Sequence, residues 1–276
     1  MEKAINQITV AVLGALGKVG REIITGVSQD PSLSLIGAID IQANEDHLSL
    51  PNSKDTIPLA DKLDDFLKMY HPQVIVDFSI AEAAVKAAKT AIAKGISLVI
   101  GTTGIQEKDL AEIGRLAETH NVGVIIAPNF ALGAVLLMHL AKISARYFDS
   151  AEIIEMHHDQ KVDAPSGTAL ATARGMAKSK GKPFLVPQTK KENIAGTRGG
   201  QVEGITIHSV RLPGFVASEE VIFGGQGQSL SIRHDTINRE CFVPGVILAV
   251  KEVVKIKGLV FGLDKLLHLG GDNEVI

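Results

Sequence analysis

Apolar positions in the first half of the chain alternate between two spacings, and these predict a repeating strand–helix order. Ile8–Leu13 is a short β-branched apolar run, and Lys18–Val27 follows with apolar residues at helical spacing. Ser34–Asp40 reads as a second strand ending in an acid. Val74–Phe78, Ile96–Ile100 and Val122–Ala127 read as further strands. Between them, the alanine-rich Ala81–Lys94 and Glu107–His120 read as helices. Strands that are apolar throughout must be covered on both faces, as in a parallel sheet. Right-handed crossovers then give a doubly wound, Rossmann-like α/β fold.

The second half has a different rhythm. Leu132–Tyr147 reads as a long helix, Ala151–Met156 as a strand and Ser166–Lys178 as a helix. Phe184–Gln201 lacks periodicity and is expected to be a long loop. Val202–Arg211, Val216–Phe223 and Ser229–His234 then read as strands joined by short turns, and Phe242–Val254 returns to helical spacing. A run of antiparallel strands after helices predicts an α+β domain with a mostly antiparallel sheet. The boundaries are expected near Asn129 and Arg239, giving one domain of residues 1–130 completed by 240–276, and a second of 131–239.

Composition narrows the picture. With 45% hydrophobic residues and no Trp, the core rests on Ala, Val, Ile and Leu. The formal net charge of −3 offers no basic excess for nucleic acid. A single cysteine, Cys241, excludes an internal disulfide and a cysteine-based metal site. Residues 1–8 have no apolar signal core, and the apolar stretches around Phe130–Leu140 and Phe242–Val250 are too short to span a bilayer. A cytoplasmic protein with no membrane partner is expected.

Glycines mark the first candidate site. Gly14-Ala15-Leu16-Gly17-Lys18-Val19-Gly20 joins the first strand to the first helix with the spacing G-x-x-G-x-x-G. Such glycines let the backbone approach a pyrophosphate at a helix N-terminus. Asp40 lies about twenty residues beyond Gly20, where an acid binds the adenosine ribose hydroxyls. A glycine turn with an unrelated surface acid is the plain alternative. Asp40 repels a 2′-phosphate whereas Lys18 attracts one, so NADPH and NADH both stay open. Gly101-Thr102-Thr103-Gly104, Ala127-Pro128-Asn129-Phe130 and Asp77-Phe78-Ser79 also follow strands, where open α/β sheets bind ligands. Each could equally be an ordinary turn.

The stretch from His157 to Ala169 suggests a second site. His157 and His158 end a strand, Lys161 follows in a loop, and Ser166 is placed to cap the next helix. Free N–H groups at Gly167 and Thr168, with the charge of Lys161, would bind a small anion beside groups able to move protons near neutral pH. Neighbouring strand residues point to opposite faces and no third ligand is evident, so no metal is expected. A solvated loop with an ordinary cap is the other alternative.

His157-His158-Asp159-Gln160-Lys161-Val162-Asp163-Ala164-Pro165-Ser166-Gly167-Thr168-Ala169 resembles the signature of the dihydrodipicolinate reductase family. The resemblance runs through most of the chain. It takes in the Gly14–Gly20 loop, the Gly-Thr-Thr-Gly loop, Pro128-Asn129-Phe130, Arg198-Gly199-Gly200 and the segment Gly204–Gly214. It implies reduction of a small cyclic dicarboxylate, 4-hydroxy-tetrahydrodipicolinate, by NADPH or NADH in the lysine and diaminopimelate route. It implies His157 as the acid-base residue, Lys161 as a proton donor, and His158, Gly167 and Thr168 as carboxylate ligands. The cofactor would touch the glycine loop, Asp40, Gly101–Thr103 and Ala127–Phe130. It also implies a homotetramer assembled through the second domain's sheet. Lys18 stands where the family often has Arg, and Ile41 where many members have a basic residue, so recognition of a 2′-phosphate is unassigned. Two alternatives remain: a related two-domain amino-acid or diaminopimelate dehydrogenase, and a non-catalytic dinucleotide sensor. Neither needs the His157–Ala169 signature.

Overall fold

The computed structural model describes residues 7–51 and 53–269. Residues 1–6 and 270–276, which the sequence reading assigned to the chain start and to the tail of the first domain, lie outside the described residues. In chain order the elements begin β1 (Ile8–Leu13), α1 (Lys18–Gln29), β2 (Leu33–Ile39), β3 (His47–Ser49), β4 (Thr56–Ala60), α2 (Leu63–Met69) and β5 (Val74–Asp77). They continue with α3 (Ala81–Ala93), β6 (Ser97–Ile100), α4 (Glu107–His120), β7 (Gly123–Ile126), α5 (Leu132–Ser144), β8 (Ser150–His157) and α6 (Gly167–Lys180). The last are β9 (Gly200–Val202), β10 (Ile205–Arg211), β11 (Ala217–Gly225), β12 (Gln228–Thr236), α7 (Val243–Val253) and β13 (Gly258–Phe261). The chain forms two compact units: one holds the residues up to Leu132 and from Arg239 onward, the other Gly133–Asn238.

The first unit is a sheet in the order β13-β7-β6-β5-β1-β2-β4-β3, parallel except for the pair β3–β4. Apart from the half-buried Ile8, the valines and isoleucines of β1, β5, β6 and β7 are buried, as a sheet covered on both faces requires. Ala84, Ala87, Ala88 and Ala91 of α3 pack beside Ile75, Leu98 and Ile100, their small side chains letting the helix lie close to the sheet. Helices α1 and α7 also pack against strands of this sheet. The chain leaves β1 with β2 on one side and β5 on the other. At that switch point a crevice opens beyond the strand ends. Register aligns Leu13 with Ile39 and Asp77, and Asp77 with Ile100, so the loops that follow emerge along one edge.

Four elements here were not legible as sequence patterns. β3 and β13 have three and four residues, β4 carries Pro58, and α2 has only seven residues. Each is too short for periodicity to stand out, and a proline usually demotes a strand to an edge.

The second unit has a five-stranded sheet, β12-β11-β8-β10-β9. It is mostly antiparallel, but β8 and β10 run parallel. The connection between Val202–Arg211 and Val216–Phe223 is short as expected, but the two are not neighbours because β8 lies between them, and Val202–Arg211 is itself divided between β9 and β10. Residues Ala151, Ile153, Val221, Phe223, Ile205 and Ile207 share a core with α5 and α6. The loop before β9 is held by Phe184, which is buried in that core, and by the bond from Leu185 N–H to the Asp149 carbonyl.

Candidate functional site

In the first unit, the glycine loop is built by close approach. Gly14 has φ +77°, and a Cβ there would sit 2.6 Å from the Phe78 carbonyl oxygen. A Cβ on Gly20 would lie 2.1 Å from the Gly14 oxygen. Only glycine lets the loop fold back on the first turn of α1. Gly17 precedes that helix with ordinary extended dihedrals, and α1 has no side-chain cap and no acid in its first turn. Its leading N–H groups are left for an anion. Ala15 is buried and donates its N–H to the Ile39 carbonyl, while Val19 sits half-buried in the first turn.

Asp40 is nearly buried, and its carboxylate is fixed by the backbone. One oxygen accepts from Leu16 N–H at 2.9 Å and the other from Gln42 N–H at 2.9 Å. Each oxygen keeps a lone pair for a ligand hydroxyl. Asp40 lines a cavity of about 560 Å³ with Gly14, Gly17, Phe78 and Ser79. The cations on its wall are Lys62 and Lys86, and its other acids are Asp61 and Asp64. Lys18 is exposed on α1 and does not line it. Lys62 escaped the sequence reading because nothing in the motif marks the start of the short helix α2.

Gly101, Thr102, Thr103, Ala127, Pro128, Asn129 and Phe130 lie along the same strand-end edge but outside this cavity. Thr102 is buried and donates to Asp77 at 2.8 Å, with Ser79 donating to the same oxygen. Burial pushes the Asp77 carboxyl above its ordinary range against these bonds. Gly101 makes room for the Phe78 ring, which packs against Phe130 at 5.8 Å. Phe130 is therefore core. Ala127 is buried, and the Asn129 side chain accepts from Ala131 N–H, shaping the turn.

The second unit places His157 at the end of β8 and His158 just beyond it. His157 Nδ1 lies 2.5 Å from Glu155, whose side chain is fully buried. Arg211, opposite His157 in the β10 register, grips both oxygens of Glu155 at 2.7 and 2.9 Å. Ser166 N–H also reaches Glu155, at 3.2 Å. Burial raises the Glu155 carboxyl, but bonds from His157, Arg211 and Ser209 outweigh it and lower it from 4.5 to about 2. Across the sheet Glu219 is buried beside Thr172, and burial pushes its carboxyl up.

Ser166 caps α6 as its position suggested, with its hydroxyl accepting from Ala169 N–H. Its N–H is bonded to Glu155, its hydroxyl oxygen caps the helix, and the residue is 2% exposed. Gly167 and Thr168, in the first turn, have no carbonyl one turn earlier to bond and suit an anion. Lys161 is not a free charge: its Nζ lies 2.6 Å from Asp163, whose carbonyl oxygen accepts from Arg211. The sequence reading gave Glu155 and Arg211 no role: Glu155 shares a face of β8 with His157, two residues on, which strand alternation could have signalled, whereas only the β8–β10 register brings Arg211 to them. Among the described residues no group of three His, Cys, Asp or Glu is placed to hold a metal ion, and no helix is long and apolar enough to cross a membrane.

The family description "Dihydrodipicolinate reductase, N-terminus" matches residues 8–130, and "Dihydrodipicolinate reductase, C-terminus" matches 133–267. The chain is 51% identical over 262 residues to a 4-hydroxy-tetrahydrodipicolinate reductase of Dehalococcoides mccartyi, covering 95% of this chain and 99% of that one. A 4-hydroxy-tetrahydrodipicolinate reductase of Moorella thermoacetica is 49% identical, with 95% and 98% covered. Among solved structures, a dipicolinate-bound dihydrodipicolinate reductase from Paenisporosarcina sp. TG-14 superposes with TM-score 0.85 at 39% identity, covering 94% of this chain and 99% of that one.

Proposed function

Because this chain belongs to the dihydrodipicolinate reductase family, we propose that it reduces 4-hydroxy-tetrahydrodipicolinate to tetrahydrodipicolinate with NADPH or NADH, in lysine and diaminopimelate biosynthesis. The observation that carries the reading is the His157–Thr168 site, a proton-bearing ring beside a cationic, capped helix start. A related amino-acid dehydrogenase or a dinucleotide sensor would have no use for it.

The first unit fits a dinucleotide. The Gly14–Gly20 cradle has no room for a Cβ at Gly20, the N-terminus of α1 is uncapped, and Asp40 keeps lone pairs for ribose hydroxyls. Reduced nicotinamide bound there supplies a hydride. Gly14, Gly17, Gly20 and Asp40 hold and orient; Gly101–Thr103 and Ala127–Phe130 shape the same edge. Asp40, Asp61 and Asp64 outnumber Lys62 and Lys86 on the cavity wall, and Ile41 stands exposed after the acid. NADH is therefore accepted readily, and Lys62, instead of Lys18, is the cation offered to a 2′-phosphate.

In the second unit, the N–H groups of Gly167 and Thr168, with Lys161 exchanging Asp163 for the substrate, neutralise the substrate carboxylates, with His158 at the rim. Their positive charge stabilises negative charge growing on the ring. After loss of water the conjugated ring takes up the hydride, and His157 delivers the balancing proton. The dipicolinate bound to the Paenisporosarcina relative is a planar dicarboxylate of the class this site would take. The same reading makes the protein a cytoplasmic homotetramer. On the sheet face turned away from the core, Ile154, Val210 and Ile222 are only half-buried in one chain, which supports assembly there. Steady-state oxidation of NADPH and of NADH, with and without the cyclic substrate, tests the function. Oxidation independent of that substrate, or none with either cofactor, refutes it.

A further inference from the structure

We propose that Glu155, clamped by Arg211, is the positioning residue of the reaction: it keeps the hydrogen of His157 on Nδ1, so that Nε2 alone exchanges a proton with substrate. The proposal rests on the reading of His157 as the acid and deepens it. Glu155 accepts from both terminal nitrogens of Arg211, from Ser166 N–H, from the His157 ring and from Ser209. A carboxylate so saturated is ionised, and the lowered titration of Glu155 agrees. An ionised carboxylate only accepts, so the nitrogen 2.5 Å away must carry hydrogen. The His157 side chain is 15% exposed, and its hydrogen bond to Glu155 is made by Nδ1, not by Nε2.

The proton balance follows. In the cation both ring nitrogens carry hydrogen. The Nε2–H bond breaks toward the carbon that hydride addition has made electron-rich, and its electron pair stays on the ring. The imidazole is left neutral with hydrogen on Nδ1, still bonded to Glu155, and regains its Nε2 proton from water. No ring flip or tautomer change is needed between turnovers.

Glu155 also couples ring to anion site. Through Ser166 N–H it holds the residue that caps α6, so one carboxylate sets both the proton donor and the helix start that faces the substrate carboxylates. The other charged groups near His157 are Arg211 on β10, Glu219 on β11 and the Lys161–Asp163 pair in the loop, with His234 opposite Glu219 on β12. Arg211 is the cation bonded to Glu155 beside the ring. Removing the charge of Glu155 alone leaves Arg211 unbalanced, which disfavours the imidazolium.

The test uses the full chain. In wild-type protein, nitrogen-15 NMR of the neutral His157 ring should show hydrogen on Nδ1 and a bare Nε2; an Nε2–H ring overturns the proposal without any variant. For Glu155→Gln, kcat at neutral pH should fall about 10–10²-fold, part of a general-acid contribution. Its alkaline limb should move to lower pH, and KM should change less than kcat. Glu155→Asp, which keeps the charge but shortens the reach, should lose kcat while leaving the limb nearer its wild-type position. Thermal melting checks that each variant folds. A folded Glu155→Gln with wild-type kcat and pH profile refutes the role of Glu155 even if His157→Gln is impaired. Wild-type kcat in His157→Gln refutes the acid itself, and so the reading beneath.

Discussion

Gly17→Val separates holding a cofactor from holding the fold. Gly17 has φ −66° and ψ 162°, a conformation that β-branched residues adopt without strain. A Cβ there meets only the Gly14 oxygen, at 3.2 Å, which a shift of a few tenths of an ångström relieves. The expected loss of stability is at most about 1 kcal/mol, the low end for overpacking. The branched side chain nevertheless stands where the pyrophosphate must approach the N-terminus of α1. Affinity for NADH and NADPH should fall more than ten-fold, or more than about 1.4 kcal/mol. Gly20→Ala is the internal contrast: its Cβ would lie 2.1 Å from a carbonyl oxygen, so the loop itself must move at about 1–3 kcal/mol. Calorimetric titration paired with thermal melting reads both quantities. A folded Gly17→Val with unchanged affinity for both nucleotides would refute the placement of the cofactor on this loop.

Other outcomes are equally definite. His157→Gln should lower kcat about 10²–10⁴-fold with a smaller change in KM, whereas Lys161→Ala should damage both and weaken inhibition by pyridine dicarboxylate; neither should alter cofactor affinity in a titration. In two-cofactor kinetics, Asp40→Ala should raise the NADPH/NADH ratio of kcat/KM and Lys62→Ala should lower it. Lys18→Ala should leave that ratio nearly unchanged, and a fall as large as that of Lys62→Ala would return 2′-phosphate selection to the glycine loop. In acid unfolding, Glu155 titrates near 2 when folded and near its ordinary 4.5 when unfolded, so its stabilisation is present above 4.5 and lost as pH falls toward 2. Glu155→Gln should therefore be less acid-sensitive across that window. Glu219 is shifted upward, so the unfolded chain ionises first and stability from this group erodes as pH rises. Glu219→Gln should flatten that slope in melting curves taken from acid to neutral pH.

Local pattern determined much of this protein. Continuous apolar runs at Ile8–Leu13 and Val74–Asp77 could only be covered strands, and the glycines at 14 and 20 announced a tight strand-to-helix loop. The run from His157 to Ala169 showed a proton-bearing ring, a cation and a capped helix because those groups are neighbours in sequence. β3, with three residues, and α2, with seven, left no readable period, unlike the equally short but wholly apolar cores of β6 and β7. Tertiary structure alone decided the rest, because strand pairing joins residues far apart in the chain. The insertion of β8 between β10 and β11 brings Arg211 and Glu219 to Glu155, and no spacing rule anticipates that. Burial raises both carboxyls, and partners decide the outcome: the donors around Glu155 outweigh burial and hold it ionised, while Glu219, poorly partnered, is pushed up. The sequence placed Glu155 and His157 two residues apart on one strand face; the guanidinium that clamps that carboxylate arrives only once the sheet has formed.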